Sequence, residues 1–210
     1  MNAVVPSLYL ASQSPRRREL LQQIGVVHAV INASIPEQPA AGEMALDYVQ
    51  RLAREKAAAG FAQLVQQQLP LAPVLGADTL GLLDGEILEK PRNKAHAEAM
   101  LRQLSGRTYQ VITAVALHSN TRQALRVSTT DVTFRPLSDA EIAAYWDTGE
   151  PQDKAGSYAI QGLGAVFVQE IRGSYSGVVG LPIEATCELL REFSVPWWTP
   201  AARPAVERKS

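Results

Sequence analysis

Leu8-Tyr9-Leu10-Ala11-Ser12-Gln13-Ser14-Pro15-Arg16-Arg17-Arg18-Glu19-Leu20-Leu21 reads as a short apolar strand, a serine-bearing loop and the opening of a helix. Ser14 suits the N-cap, and Pro15 suits the first helical position, where a missing N–H costs little. Leu20, Leu21 and Ile24 form one apolar stripe, and Gly25 can end the helix in the left-handed conformation. Three arginines in the first turn run against the helix dipole, at about 0.3–1 kcal/mol each. An anion resting on the free N–H groups and guanidinium forks reverses that sign. The turn therefore reads better as a phosphate site than as a solvated basic surface.

Around this stretch, 210 residues suffice for a sizeable core, in one large domain or two small lobes. With 46% apolar and 20% charged residues the composition is that of an ordinary soluble globular protein. A net charge of -1 argues against broad binding to nucleic acid or anionic membrane, so any polyanion must find a local cluster. The single cysteine, Cys187, excludes an internal disulfide and a cysteine-based zinc site. His28, His96 and His118 lack ligand spacing. The sequence carries no signal peptide pattern and no stretch long enough to span a bilayer, so a cytoplasmic location is expected.

Downstream, Val26 to Ile31 reads as a second strand, followed by a proline-bearing loop whose one carboxylate is Glu37. By residue type alone, Glu37 is a solvated glutamate before it is anything else. Residues 43–69 read as helix, interrupted at Gly60. Val49, Leu52, Ala53 and Lys56 share one face, so Lys56 either snorkels from the edge of the apolar stripe or aims its charge into a cleft. Asp84-Gly85 between apolar runs signals a tight hairpin. Asp78 lies in the first of those runs among small neighbours, where a carboxylate needs a partner. A metal or catalytic role suits it better than a structural one. Lys90, before Pro91, ends the returning strand.

Asn93 can cap a helix over 94–105, and strands follow from Tyr109 to Leu117 and Leu125 to Phe134. Ser138-Asp139-Ala140-Glu141 is a capping box for a helix through Trp146. Gln161 precedes Gly162-Leu163-Gly164, a place where backbone or ligand can come near. A strand is expected from Ala165 to Ile171, another at Val178-Val179, and a helix from Pro182 through Phe193. From Pro196 the prolines, Trp197-Trp198 and charged end read as a flexible or loosely docked tail, with the tryptophans covering apolar surface. The expected class is α/β with a mixed β-sheet flanked by helices.

On Ser12-Gln13-Ser14-Pro15-Arg16-Arg17, Gly76-Ala77-Asp78-Thr79, Glu89-Lys90-Pro91 and Asp153-Lys154-Ala155-Gly156, the chain resembles the Maf family over about residues 7–193. The resemblance implies a two-lobed fold with a central cleft, like that of inosine triphosphate pyrophosphatases, with residues 1–195 as one catalytic domain and 196–210 as the tail. It implies hydrolysis of a nucleoside triphosphate to the monophosphate and pyrophosphate with a divalent metal cation, Mg²⁺ or Mn²⁺. By the same matching, Asp78 is the proton acceptor and Ser12, Arg16 and Arg17 form the phosphate-binding loop. Lys56 and Lys90 line the cleft, and Glu37 stands near the metal with Asp78. Arg16, Thr79 and Gln161 match the branch acting on dTTP and UTP, where the branch preferring 7-methyl-GTP carries other residues.

The expected partner is a pyrimidine nucleoside triphosphate, normal or modified, with no nucleic acid and no membrane; a homodimer is in keeping with the family. The competing expectation is a nucleotide-binding regulator of cell division or septum formation that does not hydrolyse. It is weakened because each expected cleft residue is present. A nucleic-acid module fits poorly with 6% aromatic residues and the near-neutral charge.

Overall fold

The computed structural model of the protein describes residues 5–198. The opening stretch folds as expected, with β1 at Leu8–Leu10 and α1 at Pro15–Gln23. Ser14 holds the N-cap position in extended backbone, but its side chain makes no capping bond; its own N–H donates to Ser12 Oγ at 3.2 Å. There follow β2 (His28–Val30), α2 (Ala45–Gln66), β3 (Val74–Leu83), β4 (Glu86–Leu88) and α3 (Lys94–Leu104). The chain continues through β5 (Thr108–His118), β6 (Gln123–Phe134) and α4 (Asp139–Asp147). Short 3-10 turns then lead to β7 (Val168–Arg172), α5 (Tyr175–Val179) and α6 (Ile183–Glu192).

One mixed sheet carries the seven strands in the order β2-β1-β3-β5-β6-β7, with β4 paired to β3. β1 runs parallel to β2 and β3, whereas β3 to β7 pair antiparallel. The seam strand β3 is left partly open on one side. β1 pairs with it only at Val74 and Leu75, and β4 only at Gly81 to Leu83. Residues 77–80 therefore have a ladder partner, β5, on one edge alone.

Helix α2 lies against this region, burying Val49, Ala53 and Ala57 against Leu80, Ile112, Ala114 and Ala116. The larger core spreads from β1 and α1 through α3, α4 and α6. Small residues let α2 come close. A Cβ on Gly76 would stand 2.4 Å from both Ala53 O and Ala57 N. Gly60 does not interrupt α2; a Cβ there would meet Val74 Cγ1 at 2.8 Å and Ala11 Cβ at 2.9 Å, so it serves close packing at the cost of helix propensity.

The local signals are realised at their positions. Asp84 and Gly85 adopt φ of 53° and 86°, the pair of positive values that a tight hairpin asks for. Asn93 accepts from His96 N–H, and Ser138 with Glu141 closes the capping box. Two strand expectations are corrected. Val178-Val179 belongs to α5, because Ser174 Oγ accepts from Gly177 N–H at 3.1 Å and Gly180 at φ 128° stops the turn. Two valines cannot by themselves decide between strand and helix. Residues 163–167 form a 3-10 turn, so the strand expected from Ala165 begins at Val168.

Of the 196–210 tail, residues 199–210 lie outside the described residues. Trp197 packs against the main core with the Arg191 guanidinium over its ring, and Trp198 N–H donates to Ile24 O at 2.7 Å. The Trp198 ring is exposed, so only Trp197 covers apolar surface. No helix among the described residues is long and apolar enough to cross a membrane.

Candidate active site

A cleft of about 890 Å³ opens at the unpaired edge of β3. Its wall is built by the loop after β1, the first turn of α1, the Glu37 loop, the middle of α2, the end of α5 and the 154–161 segment. Ser12, Arg16, Arg17, Glu37, Lys56, Asp78, Thr79, Lys90 and Gln161 all line it. Successive residues of β3 face opposite ways, so Asp78 meets α2 while Thr79 meets Arg17 and Thr113.

On the α2 side, Lys56 is 8% exposed and sends its ammonium between two carboxylates: Nζ lies 2.7 Å from Asp78 Oδ1 and 2.9 Å from Glu37 Oε1. Of the two readings left open by the helix stripe, the cleft-directed one holds. Burial pushes the Asp78 carboxyl above its ordinary range, Lys56 and Arg17 pull it back, and Glu37 raises it further. Glu37 itself is mostly exposed and is held through its backbone. Tyr48 Oη donates to Glu37 O at 3.0 Å, and Arg51 donates to Gln38 O at 3.1 Å while paired with Glu43 at 2.7 Å.

On the other side, Arg17 is anchored by three bonds: Nε to Gly180 O at 2.8 Å, Nη1 to Ser12 Oγ at 3.1 Å and Nη2 to Thr79 Oγ1 at 3.2 Å. Thr113 Oγ1 donates to Gly177 O, so it accepts from Thr79, and the relay runs one way from Arg17 through Thr79 and Thr113 to the backbone. Burial pulls the Arg17 guanidinium below its ordinary pKa, and Asp78 opposes that pull. Arg17 thus places a fixed charge and still keeps a second N–H on each terminal nitrogen. Arg16, next to it, hydrogen-bonds to no protein group among the described residues. Arg16 and Arg17 line the cleft from the first turn of α1, where backbone N–H groups have no intrahelical acceptor and the helix dipole is positive.

Some of the constellation carried no signal. Tyr48 and Arg51, which hold the Glu37 loop, look like ordinary helix-surface residues. Tyr109 and Tyr158, whose hydroxyls bond to each other at the cleft wall, look like core aromatics. Lys154, a further cleft cation, stands within the Asp153-Lys154-Ala155-Gly156 block, but the sequence alone assigned it no role in the cleft.

The donor set fits a divalent cation of magnesium type. Asp78 and Glu37 present oxygens to one point, which the Lys56 ammonium fills. No group of three or more His, Cys, Asp or Glu converges among the described residues. A hard cation held by one or two carboxylates completes its shell with water and substrate phosphate, so a pair suffices.

An open mixed sheet with five cations and two carboxylates gathered at the free edge of its seam strand defines an α/β protein with a strongly charged cleft. The family model described as Maf-like protein matches residues 7–193. The chain belongs to that family. It is 56% identical over 191 residues to a Saccharophagus degradans protein named dTTP/UTP pyrophosphatase, covering 91% of this chain and 90% of the relative. A Shigella sonnei protein of the same name is 57% identical over 188 residues, covering 90% and 93%. A Shigella flexneri protein named nucleoside triphosphate pyrophosphatase is 56% identical over 188 residues, with the same coverage.

Proposed function

We propose that this protein is a nucleoside triphosphate pyrophosphatase that splits dTTP and UTP into the monophosphate and pyrophosphate. The observation that carries the reading is the Asp78–Lys56–Glu37 cluster facing the arginine-rich N-terminus of α1 across one cleft. The names of the relatives point the same way.

In this reading Arg16, Arg17, Lys56 and Lys90, with Ser12 and the free N–H groups of α1, neutralise the triphosphate so that an oxygen nucleophile can approach phosphorus. Water forms the new bond to phosphorus, the α–β bridging bond breaks, pyrophosphate leaves with the electron pair, and the water proton passes to Asp78. A carboxylate of ordinary pKa, about 3.9, is a weak base, and burial moves Asp78 in the useful direction. Asp78 and Glu37 would hold a divalent cation, which supplies further charge neutralisation and acidifies water. Gln161 offers an amide donor and acceptor side by side for the N3–H and carbonyl edge of uracil or thymine, with Arg16 and Thr79 completing the specificity set.

The test is pyrophosphate release from dTTP, UTP, CTP, GTP and 7-methyl-GTP with Mg²⁺ or Mn²⁺, beside an Asp78→Asn control. Turnover of dTTP and UTP that vanishes in the control is expected. Preference for 7-methyl-GTP overturns the specificity set, and nucleotide binding without turnover overturns the enzyme.

A further inference from the structure

We infer that Glu150 is a positioning residue for nucleobase preference, acting by fastening the loop that carries Gln161. The inference rests on the reading of Gln161 given above. Glu150 is absent from the cleft wall, yet its carboxylate collects three hydrogen bonds from and around that loop. Oε1 accepts from Tyr145 Oη at 2.6 Å and from Gly164 N–H at 2.9 Å, and Oε2 accepts from Leu163 N–H at 2.9 Å. Tyr145 Oη in turn accepts from Ala159 N–H at 3.1 Å.

The segment is thus pinned before Gln161, at Ala159, and after it, at Leu163 and Gly164. Between the pins a tight turn closes by Gly162 N–H to Ala159 O at 3.1 Å, with Gln161 at its third position. Side chains add little on the far side, since Leu163 is 58% exposed and its neighbours Gly162 and Gly164 have none; besides the Glu150 bonds, Ala165 N–H donates to Gly162 O at 3.1 Å. Gly162 is required by the same device: a Cβ there would stand 2.1 Å from Glu150 Oε2 and push the carboxylate off its donors. The three donors hold the Glu150 carboxyl below its ordinary range despite burial, so it is ionised at neutral pH and accepts at both oxygens.

Glutamine at this position is nearly the same shape but presents an NH₂ group where one oxygen accepted. One loop N–H then faces a donor, the turn loosens, and Gln161 wanders relative to the base. Tyr145→Phe cuts the other pin and keeps the ring that packs edge-on against Phe167. A role confined to stability lowers the melting temperature and leaves substrate choice alone.

The experiment is steady-state kinetics on UTP and CTP for the full chain, with Glu150→Gln, Tyr145→Phe, Gln161→Ala and the Glu150→Gln/Gln161→Ala double variant. The expected result is a UTP-to-CTP ratio of kcat/KM lowered by roughly three- to tenfold in each of the two pin variants, the scale of one hydrogen bond. The loss sits in KM for UTP, and the double variant is no worse than Gln161→Ala alone. An unchanged ratio in both pin variants, beside a collapsed ratio in Gln161→Ala, overturns the role of Glu150 and spares that of Gln161. Additive losses in the double variant do the same. An unchanged ratio in Gln161→Ala overturns the reading of Gln161 and takes this inference with it.

Discussion

Replacing Gly76 by alanine tests whether the close seating of α2 on β3 assembles the site. The added Cβ would stand 2.4 Å from Ala53 O and from Ala57 N, and 3.0 Å from Ala57 Cα. These are backbone atoms of α2, so no side-chain rotation relieves the clash. The shortfall is about 1 Å from the 3.4 Å at which ordinary van der Waals contact begins, and α2 must retreat by about that distance. Lys56 lies between the two clashing residues. Its bond to Asp78, now 2.7 Å, would lengthen past hydrogen-bonding range. Overpacking of this kind costs about 1–3 kcal/mol, and two backbone contacts put Gly76→Ala near the top. For a chain of this size that lowers Tm by about 6–12 °C. A 1 Å misplacement of a site group costs turnover about 10²-fold. Calorimetry gives the first quantity and pyrophosphate release from UTP the second. A Gly76→Ala protein with unchanged Tm and unchanged kcat would refute the reasoning, because α2 would then have room that the packing denies it.

Two further outcomes follow from the charges of the cleft and its loop. Lys56→Met removes the ammonium that pulls Asp78 down, so Asp78 loses its proton at higher pH and the acid limb of the kcat/KM profile moves toward alkaline pH; turnover at neutral pH falls by about 10²-fold. An acid limb that stays where it was contradicts that coupling. Glu43, held down to about 2 by Arg51 and the Ala40 N–H, has a folded pKa below its ordinary 4.5. Its contribution is therefore fully present above about pH 4.5 and is lost as pH falls toward about 2. Urea unfolding of Glu43→Gln should show a flatter pH dependence across that window than the unsubstituted protein, and parallel curves would sink the assignment.

What the sequence discloses is what depends on near neighbours. The N-terminal strand, loop and helix, the Asp84-Gly85 turn and the Ser138–Glu141 capping box each rest on residues a few positions apart, and each is found in place. Lys56 was half legible: the helix period put it on the apolar face, but only the packing of α2 on β3 says that two carboxylates await it. Arg17 was legible as a cation of the phosphate loop, whereas its anchoring to Gly180 O, Ser12 and Thr79 depends on where the chain returns. Gly60 was misread because close packing outweighs propensity there, and Val178-Val179 because two valines are too short a run to outweigh the Ser174 cap and the Gly180 stop. Glu150 gave no signal, since the amides it gathers belong to the backbone and look alike at every position.

The bond from Arg17 to Gly180 O spans 163 residues and bears on how the protein is born. At a synthesis rate of about 5–20 residues per second, the phosphate loop is made roughly 8–30 s before its anchor. During that interval Arg17 has neither Gly180 O nor the α5 turn beside it. The nascent chain holds its most charged segment early and completes the pocket last, so a chain released before Gly180 carries the motif without the cleft that uses it.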